Sequence, residues 1–330
     1  VMAALMAGGA VISLIALPRL GKQFQAPTTA ASRDLLGFLG MIVGVVAGVY
    51  VARTLLTLVG FDLASEDRWA RLGFLVVQIA AAMALGLWMA RRIGFETLNR
   101  SLESYFSMRG AWAFLALVVL YKIGDAFALS LSTPFLIKGV GFTQTEVGLA
   151  NKTVGLLMTI AGAIVGGIIL LRVRLSRALI GFGVLQLVSN LGYYALAVAG
   201  AGAHGSLLLP AFDVFIVRLP EATPIDTLLL IALSLDNFAG GMGTAALVAL
   251  LMSLCGARFS ATHYALLSAF ASLGRVFIGP VAGVLADQFG WATFFLVSLA
   301  VGVPGLWMAY RLRNEVDAKY VEDSVPVAAQ

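Results

Sequence analysis

The sequence predicts an all-α, polytopic helical membrane protein, and three observations carry that prediction. Only 12% of the 330 residues are charged and 60% are hydrophobic, whereas soluble domains carry about a quarter charged residues. The mean hydropathy is +0.96. The apolar residues gather into nine runs, each too long and too uniform for the alternating strands of an outer-membrane barrel. This composition excludes a soluble enzyme, a disordered chain and a nucleic-acid binder. The net charge of +5 then reads as loop topology rather than as an anionic partner.

The runs follow in order. Residues 1–17 form a first span of about 25 Å at 1.5 Å per residue, short of a hydrocarbon core of about 30 Å. With Val1 in place of an initiator Met, the chain is expected to be a fragment that begins inside a helix. Residues 18–34 read as a polar linker. Two spans, 35–59 and 71–90, are joined by the acidic turn 60–70. Residues 93–109 place Leu98, Leu102 and Tyr105 at helical spacing between polar residues, which predicts an amphipathic helix on the inner membrane face. Six spans follow at 111–133, 147–171, 175–199, 228–254, 262–286 and 291–310. Their loops are short except 200–227, which holds Pro210, Pro220 and Pro224 and reads as an extended outer loop. The tail 312–330 is polar and is expected to be disordered.

Loop charge orients the spans. The side holding 18–34, 91–110, 172–174, 255–261 and 311–330 carries fourteen Lys and Arg residues against four on the other side. Basic loops mark the cytoplasm, so the C-terminus is expected to be cytoplasmic. Acids such as Asp62, Glu66, Asp213 and Asp226 gather in the opposite loops.

The six-span block divides into two units of three. Asp125-Ala126-Phe127-Ala128 lies in its first span and Asp236-Asn237-Phe238-Ala239 in its fourth. Three spans per unit invert the topology, the pattern of transporters built from inverted repeats.

Ionisable and amide groups inside spans are costly and mark pathways or pairs. Lys122 and Asp125 are three apart and share a helix face, either as a neutralising ion pair or as a cavity-facing pair. Asn151 and Lys152 lie one turn into the second span of the block, where Lys152 can also snorkel to the interface. Gln186 and Asn190 are four apart on the third, and interhelical hydrogen bonding explains them as well as substrate contact. Asp236 and Asn237 lack a local cation, and Arg275 on the fifth span is the expected partner of Asp236. Gly162 and Gly166, and Gly279 and Gly283, have the spacing of close helix packing. Gly240, Gly241 and Gly243 suit either packing or a hinge.

The single cysteine, Cys255, leaves no disulfide framework. His204 and His263 make no catalytic or metal constellation, and nucleophile-elbow, zincin and Walker motifs are absent. No enzyme, cofactor or metal is expected.

Four segments are recognisable. YKIGDAFALS at 121–130, FLIKGVGFTQTEVGLANKTVGLL at 135–157, LDNFAGGMGTAALVALLMSLC at 235–255 and FSATHYALLSAFASLGRVFIGPVAGVLAD at 259–287 resemble the AmpG-type muropeptide permeases. These belong to the major facilitator superfamily and are related to acetyl-CoA transporters. The resemblance is dense over 111–311. It implies proton-coupled import of anhydromuropeptides through the bacterial inner membrane for peptidoglycan recycling, with the substrate, protons and the lipid bilayer as partners. It also implies that 1–18 ends an N-terminal half, absent from this sequence, and that 111–311 is the C-terminal six-helix half of a major facilitator fold. The two extra helices within 19–110 are additions to the usual plan, and 312–330 is a cytoplasmic tail. The first and fourth helices of a facilitator half line its cavity, which points Lys122, Asp125, Asp236 and Asn237 toward substrate. Two other readings stay open from the residues: a facilitator for another anionic solute such as an acyl-CoA, and a non-transporting scaffold or receptor.

Overall fold

A computed structural model describes residues 31–60, 67–214, 217–219, 221–255 and 260–324. The expected span 1–17 and most of the linker lie outside these residues. The linker's last residues are already helical: α1 runs Ala31–Leu58, and Asp34 in its first turn accepts hydrogen bonds from the backbone and hydroxyl of Thr97. Helix α2, Arg68–Ile93, is capped by Asp67, whose carboxylate accepts from the Trp69 N–H. It pairs with α1 along a seam of small residues, where a Cβ on Gly48 would stand 2.6 Å from the Ala82 Cα. Close backbone approach replaces hydrophobic drive between helices in lipid.

Helix α3, Glu96–Phe106, is the expected amphipathic element, but its buried residues are Ser101 and Tyr105. Leu98 and Leu102 are only half-buried. The buried side packs on protein: Tyr105 donates to the Ala111 carbonyl, and His263 Nε2 donates to the Ser101 carbonyl at 3.2 Å. Burial, with Cys255 adding to it, pushes the Tyr105 phenol up to about 12.

The remaining spans form the bundle that carries the polar residues. Helix α4, Ala111–Pro134, continues through a π-helical turn, Phe135–Val140. The next span is α5, Gln144–Ala150, a second π-helical turn, Asn151–Gly155, and α6, Leu156–Leu170. Helix α7 spans Leu175–Ala199 and α8 spans Thr227–Ser253. Helix α9, Ser260–Arg311, is broken at Gly290, which has φ 78° and ψ 168°, a left-handed φ that favours glycine. Its two limbs lie side by side on α4: a Cβ on Gly274 would meet Ile123, and one on Gly124 would stand 2.7 Å from the Gly302 Cα. The limbs are therefore the two expected spans 262–286 and 291–310. Among the described residues, seven helices are long and apolar enough to cross a membrane, the last of them this double-length one. The protein is thus an all-α, multi-pass membrane protein.

The packing is reciprocal. Helix α4 packs chiefly against the two limbs of α9, while α8 packs chiefly against α6 and α7. The α6–α8 contact runs over glycines: a Cβ on Gly166 would lie 2.9 Å from the Met242 Cα, and Gly162 and Gly241 are held as tightly by facing backbone. Gly279 and Gly283, which have the same spacing, face open space within 4 Å, as does Gly240. Among the described residues, the small-residue pattern thus marks a tight seam at the first pair and none at the second.

Two further segments differ from their sequence reading. The loop 200–227 is a β-ribbon, with β1 Ser206–Leu209 antiparallel to β4 Thr223–Asp226, and β2 Phe212–Val214 antiparallel to β3 Val217–Leu219. Asp226 ends the ribbon and caps α8, accepting from the Leu229 N–H at 2.8 Å and the Gly202 N–H at 2.7 Å. The tail, expected to be disordered, forms α10, Arg313–Ser324. Val316 is fully buried, and Asp317 accepts from the Ser176 N–H at 2.9 Å and its hydroxyl at 2.8 Å. That carboxylate caps α7, and the tertiary contact supplies what local composition withholds.

Candidate functional site

Lys122 and Asp125 form an ion pair along α4. The Asp125 side chain keeps 10% of its surface and that of Lys122 22%, so the pair is largely withdrawn from solvent. One residue before Lys122, the Tyr121 hydroxyl donates to the Leu179 carbonyl at 3.0 Å and fixes α4 to α7. Asp125 lines a cleft with Tyr121, Gly183, Gln186 and Leu306 between α4, α7 and the second limb of α9. Its free space is about 10 Å³, enough for about one water.

Asp236 projects from α8 toward α7. It accepts from the Tyr193 hydroxyl at 3.0 Å and from the Ser189 hydroxyl at 3.3 Å. Two hydroxyl donors thus occupy the carboxylate for which the sequence suggested Arg275. Arg275 lies within α9, but its side chain is outside the described residues. Asp125 and Lys122 are within electrostatic reach of Asp236, which links the two acids of the matching tetrapeptides across α4, α7 and α8. The single Ser189 hydroxyl proton is shared with the Gln186 carbonyl, the shorter of its two contacts at 2.7 Å. The Gln186 amide fills the space a side chain at Gly243 would take, so that glycine serves packing.

Asn237 turns to the other side of α8. Its Oδ1 accepts from the Thr159 hydroxyl at 3.1 Å, and its Nδ2 donates to the Leu233 carbonyl at 2.8 Å. Asn151 approaches it across Gly155: a Cβ there would lie 3.3 Å from Asn151 Oδ1 and 3.2 Å from Asn237 Nδ2. Asn190 donates to the Ser298 hydroxyl at 3.2 Å, an interhelical bond between α7 and α9. Lys152 is exposed, as a snorkelling lysine would be.

The structure therefore brings Lys122, Asp125, Gln186 and Asp236 into one cluster, and Asn151 and Asn237 into a second. Asn190 serves the α7–α9 contact, and Lys152 stands apart. Sequence reasoning passed over Tyr193, Ser189, Thr159 and Ser298. A signal for the first two was present, since Gln186, Ser189, Asn190 and Tyr193 recur at i, i+3, i+4 and i+7 on one helix face.

Comparison with known proteins fits these spans. No family profile matches the chain. The anhydromuropeptide permease of Escherichia coli strain K12 is 45% identical over 223 residues, covering 68% of this chain and 41% of that protein. The resemblance to AmpG-type permeases is real. A putative AmpG 4 transporter of Rickettsia conorii is 31% identical over 222 residues, covering 67% of this chain and 48% of its own length. A putative AmpG 3 transporter of Rickettsia prowazekii is 27% identical over 221 residues. The chain thus spans less than half the length of these AmpG relatives. Their names are those of permeases and transporters, not enzymes, in keeping with the sequence reading.

Proposed function

We propose that the AmpG-like chain imports anhydromuropeptides across the bacterial inner membrane together with protons, for peptidoglycan recycling. Residues 111–311 act as the C-terminal six-helix half of a major facilitator fold. Residues 1–18 belong to the preceding half, 19–110 to an inter-half segment with two extra helices, and 312–330 to the cytoplasmic side. The reciprocal packing of α4 on α9 and of α8 on α6 and α7 supports two inverted three-helix units, which rock around a site near the bilayer midplane.

The observation that carries this reading is the half-buried cluster of Lys122, Asp125 and Asp236 on the first helices of those units. A span tolerates such groups when they serve a substrate or a proton. Asp125 or Asp236 carries the coupling proton, and Lys122 or Arg275 attracts substrate carboxylates. Gln186, Asn190, Asn151, Lys152 and Asn237 complete the pathway.

Uptake of labelled anhydromuropeptide into energised vesicles by the full-length protein tests the proposal. Uptake that collapses with an uncoupler supports it. Absence of uptake overturns the substrate, uptake indifferent to the uncoupler overturns proton coupling, and normal uptake by both Asp125→Asn and Asp236→Asn overturns the site.

A further inference from the structure

The second polar cluster has a different chemistry from the first. The span Gln144–Leu170 is π-helical over Asn151–Gly155, and single π turns inside α-helices recur at functional sites. Asn151 starts this turn about 10 Å along the span at 1.5 Å per residue. Asn237 lies about 15 Å along α8 from Thr227 by the same rise. Both helices start at the same end of the bundle, because α6 and α7 carry the chain across and back before the ribbon.

The two amides converge over a buried glycine. A Cβ at Gly155 would crowd Asn151 Oδ1 and Asn237 Nδ2 at 3.3 and 3.2 Å, so the missing side chain lets the two amides close in over the same turn. A primary amide has two N–H donors and a carbonyl acceptor. Asn237 uses its acceptor for Thr159 and one donor for Leu233, which leaves one N–H. Asn151 is half-buried, and its side chain has no hydrogen-bond partner among the described residues. A polar group left unpaired in a span is costly. Thr159 shares its single hydroxyl proton between the Gly155 carbonyl at 3.0 Å and Asn237 Oδ1 at 3.1 Å, which ties the Asn237 amide to that turn.

We propose that Asn151 and Asn237 form a subsite for a secondary amide of the substrate, its N–H on the Asn151 oxygen and its C=O on the Asn237 N–H. The proposal rests on the muropeptide reading, because such substrates carry this group as N-acetyl substituents and as peptide bonds. It divides the labour between two clusters. Asp236 faces α7 with the ionisable groups, and Asn237, one residue on, faces α6 with neutral ones.

The test uses the full-length protein in proteoliposomes with two probes, an N-acetylglucosaminyl-anhydro-N-acetylmuramyl tripeptide and the same disaccharide without its peptide. Asn151→Ala removes no hydrogen bond seen within the described residues. It is expected to raise KM for the tripeptide about tenfold, the scale of one hydrogen bond, with kcat within about twofold. Gly155→Ala should do the same by filling the space between the amides. An equal loss for the disaccharide assigns the subsite to an N-acetyl group, and a loss confined to the tripeptide assigns it to a peptide bond. Unchanged KM in both variants, or a loss in kcat alone, overturns the subsite. A wild-type protein that transports neither probe overturns the functional reading, and the subsite with it.

Discussion

Replacing Lys122 by Met isolates what the Lys122–Asp125 pair contributes. The substitution keeps the length of the side chain and removes its charge, leaving Asp125 with 10% of its side-chain surface exposed and no counter-ion on its own helix face. Breaking a buried pair by deleting one partner costs about 3–5 kcal/mol, while replacing both partners by neutral groups is often close to neutral. Lys122 retains 22% exposure, so about 3 kcal/mol, the lower end of that range, applies here. The double variant Lys122→Met/Asp125→Asn should cost about 1 kcal/mol or less, so it recovers about 2 kcal/mol of the single variant's loss. Thermal unfolding of the purified protein in detergent measures it, with a drop of about 5–10 °C for the single variant and near-complete recovery in the double. Transport should remain lost in both, because the charges and not the fold are then missing. A single variant as stable as wild type, or a double variant no better than the single, would refute the structural part of this reasoning. Restored transport in the double variant would refute the functional part.

Other perturbations have equally definite outcomes. Asp317→Ala removes the cap from α7 and leaves the buried Ser176 N–H unpaired, at about 2 kcal/mol; limited proteolysis within 313–324 should accelerate, and an unchanged digestion pattern would contradict the α10 contact. Gly241→Val drives a branched side chain into the backbone of Thr159 and Ala163 and should abolish a folded, monodisperse protein, whereas Gly240→Ala, at an open position, should leave its size-exclusion profile unchanged. Asn190→Ala and Ser298→Ala break one shared hydrogen bond and should each cost about 1 kcal/mol; because the bond is common to both, the double variant should cost little more than either single one, and full additivity would show that the bond carries no stability.

The spans were legible because lipid selects them by composition alone. Each run from 35–59 to 291–310 has its helical counterpart, with the last two joined at Gly290 into one broken helix. What depended on tertiary contact was not legible. The polar string of α10 becomes a helix because Val316 and Asp317 find α7 and its neighbours. The ribbon at 206–226 hides among prolines, and nested pairing gives it order. The glycine pattern at 162 and 166 and the one at 279 and 283 look alike along the chain, yet among the described residues only the first meets a facing backbone. At the candidate site, the ion pair of Lys122 and Asp125 followed from their spacing. The environment of Asp236 did not, because the search was for an opposite charge and the donors are the hydroxyls of Tyr193 and Ser189. The convergence of Asn151 on Asn237 across Gly155 needed coordinates, since the two residues are on different spans.

Proton movement driven by the substrate tests the central claim most directly. The full-length protein is reconstituted with a pH-sensitive dye trapped inside the liposomes, and radiolabelled N-acetylglucosaminyl-anhydro-N-acetylmuramyl tripeptide is added outside. The account predicts prompt acidification of the lumen that the Asp125→Asn/Asp236→Asn double variant abolishes. Accumulation of labelled substrate with no acidification, or acidification that survives loss of both carboxylates, would contradict it.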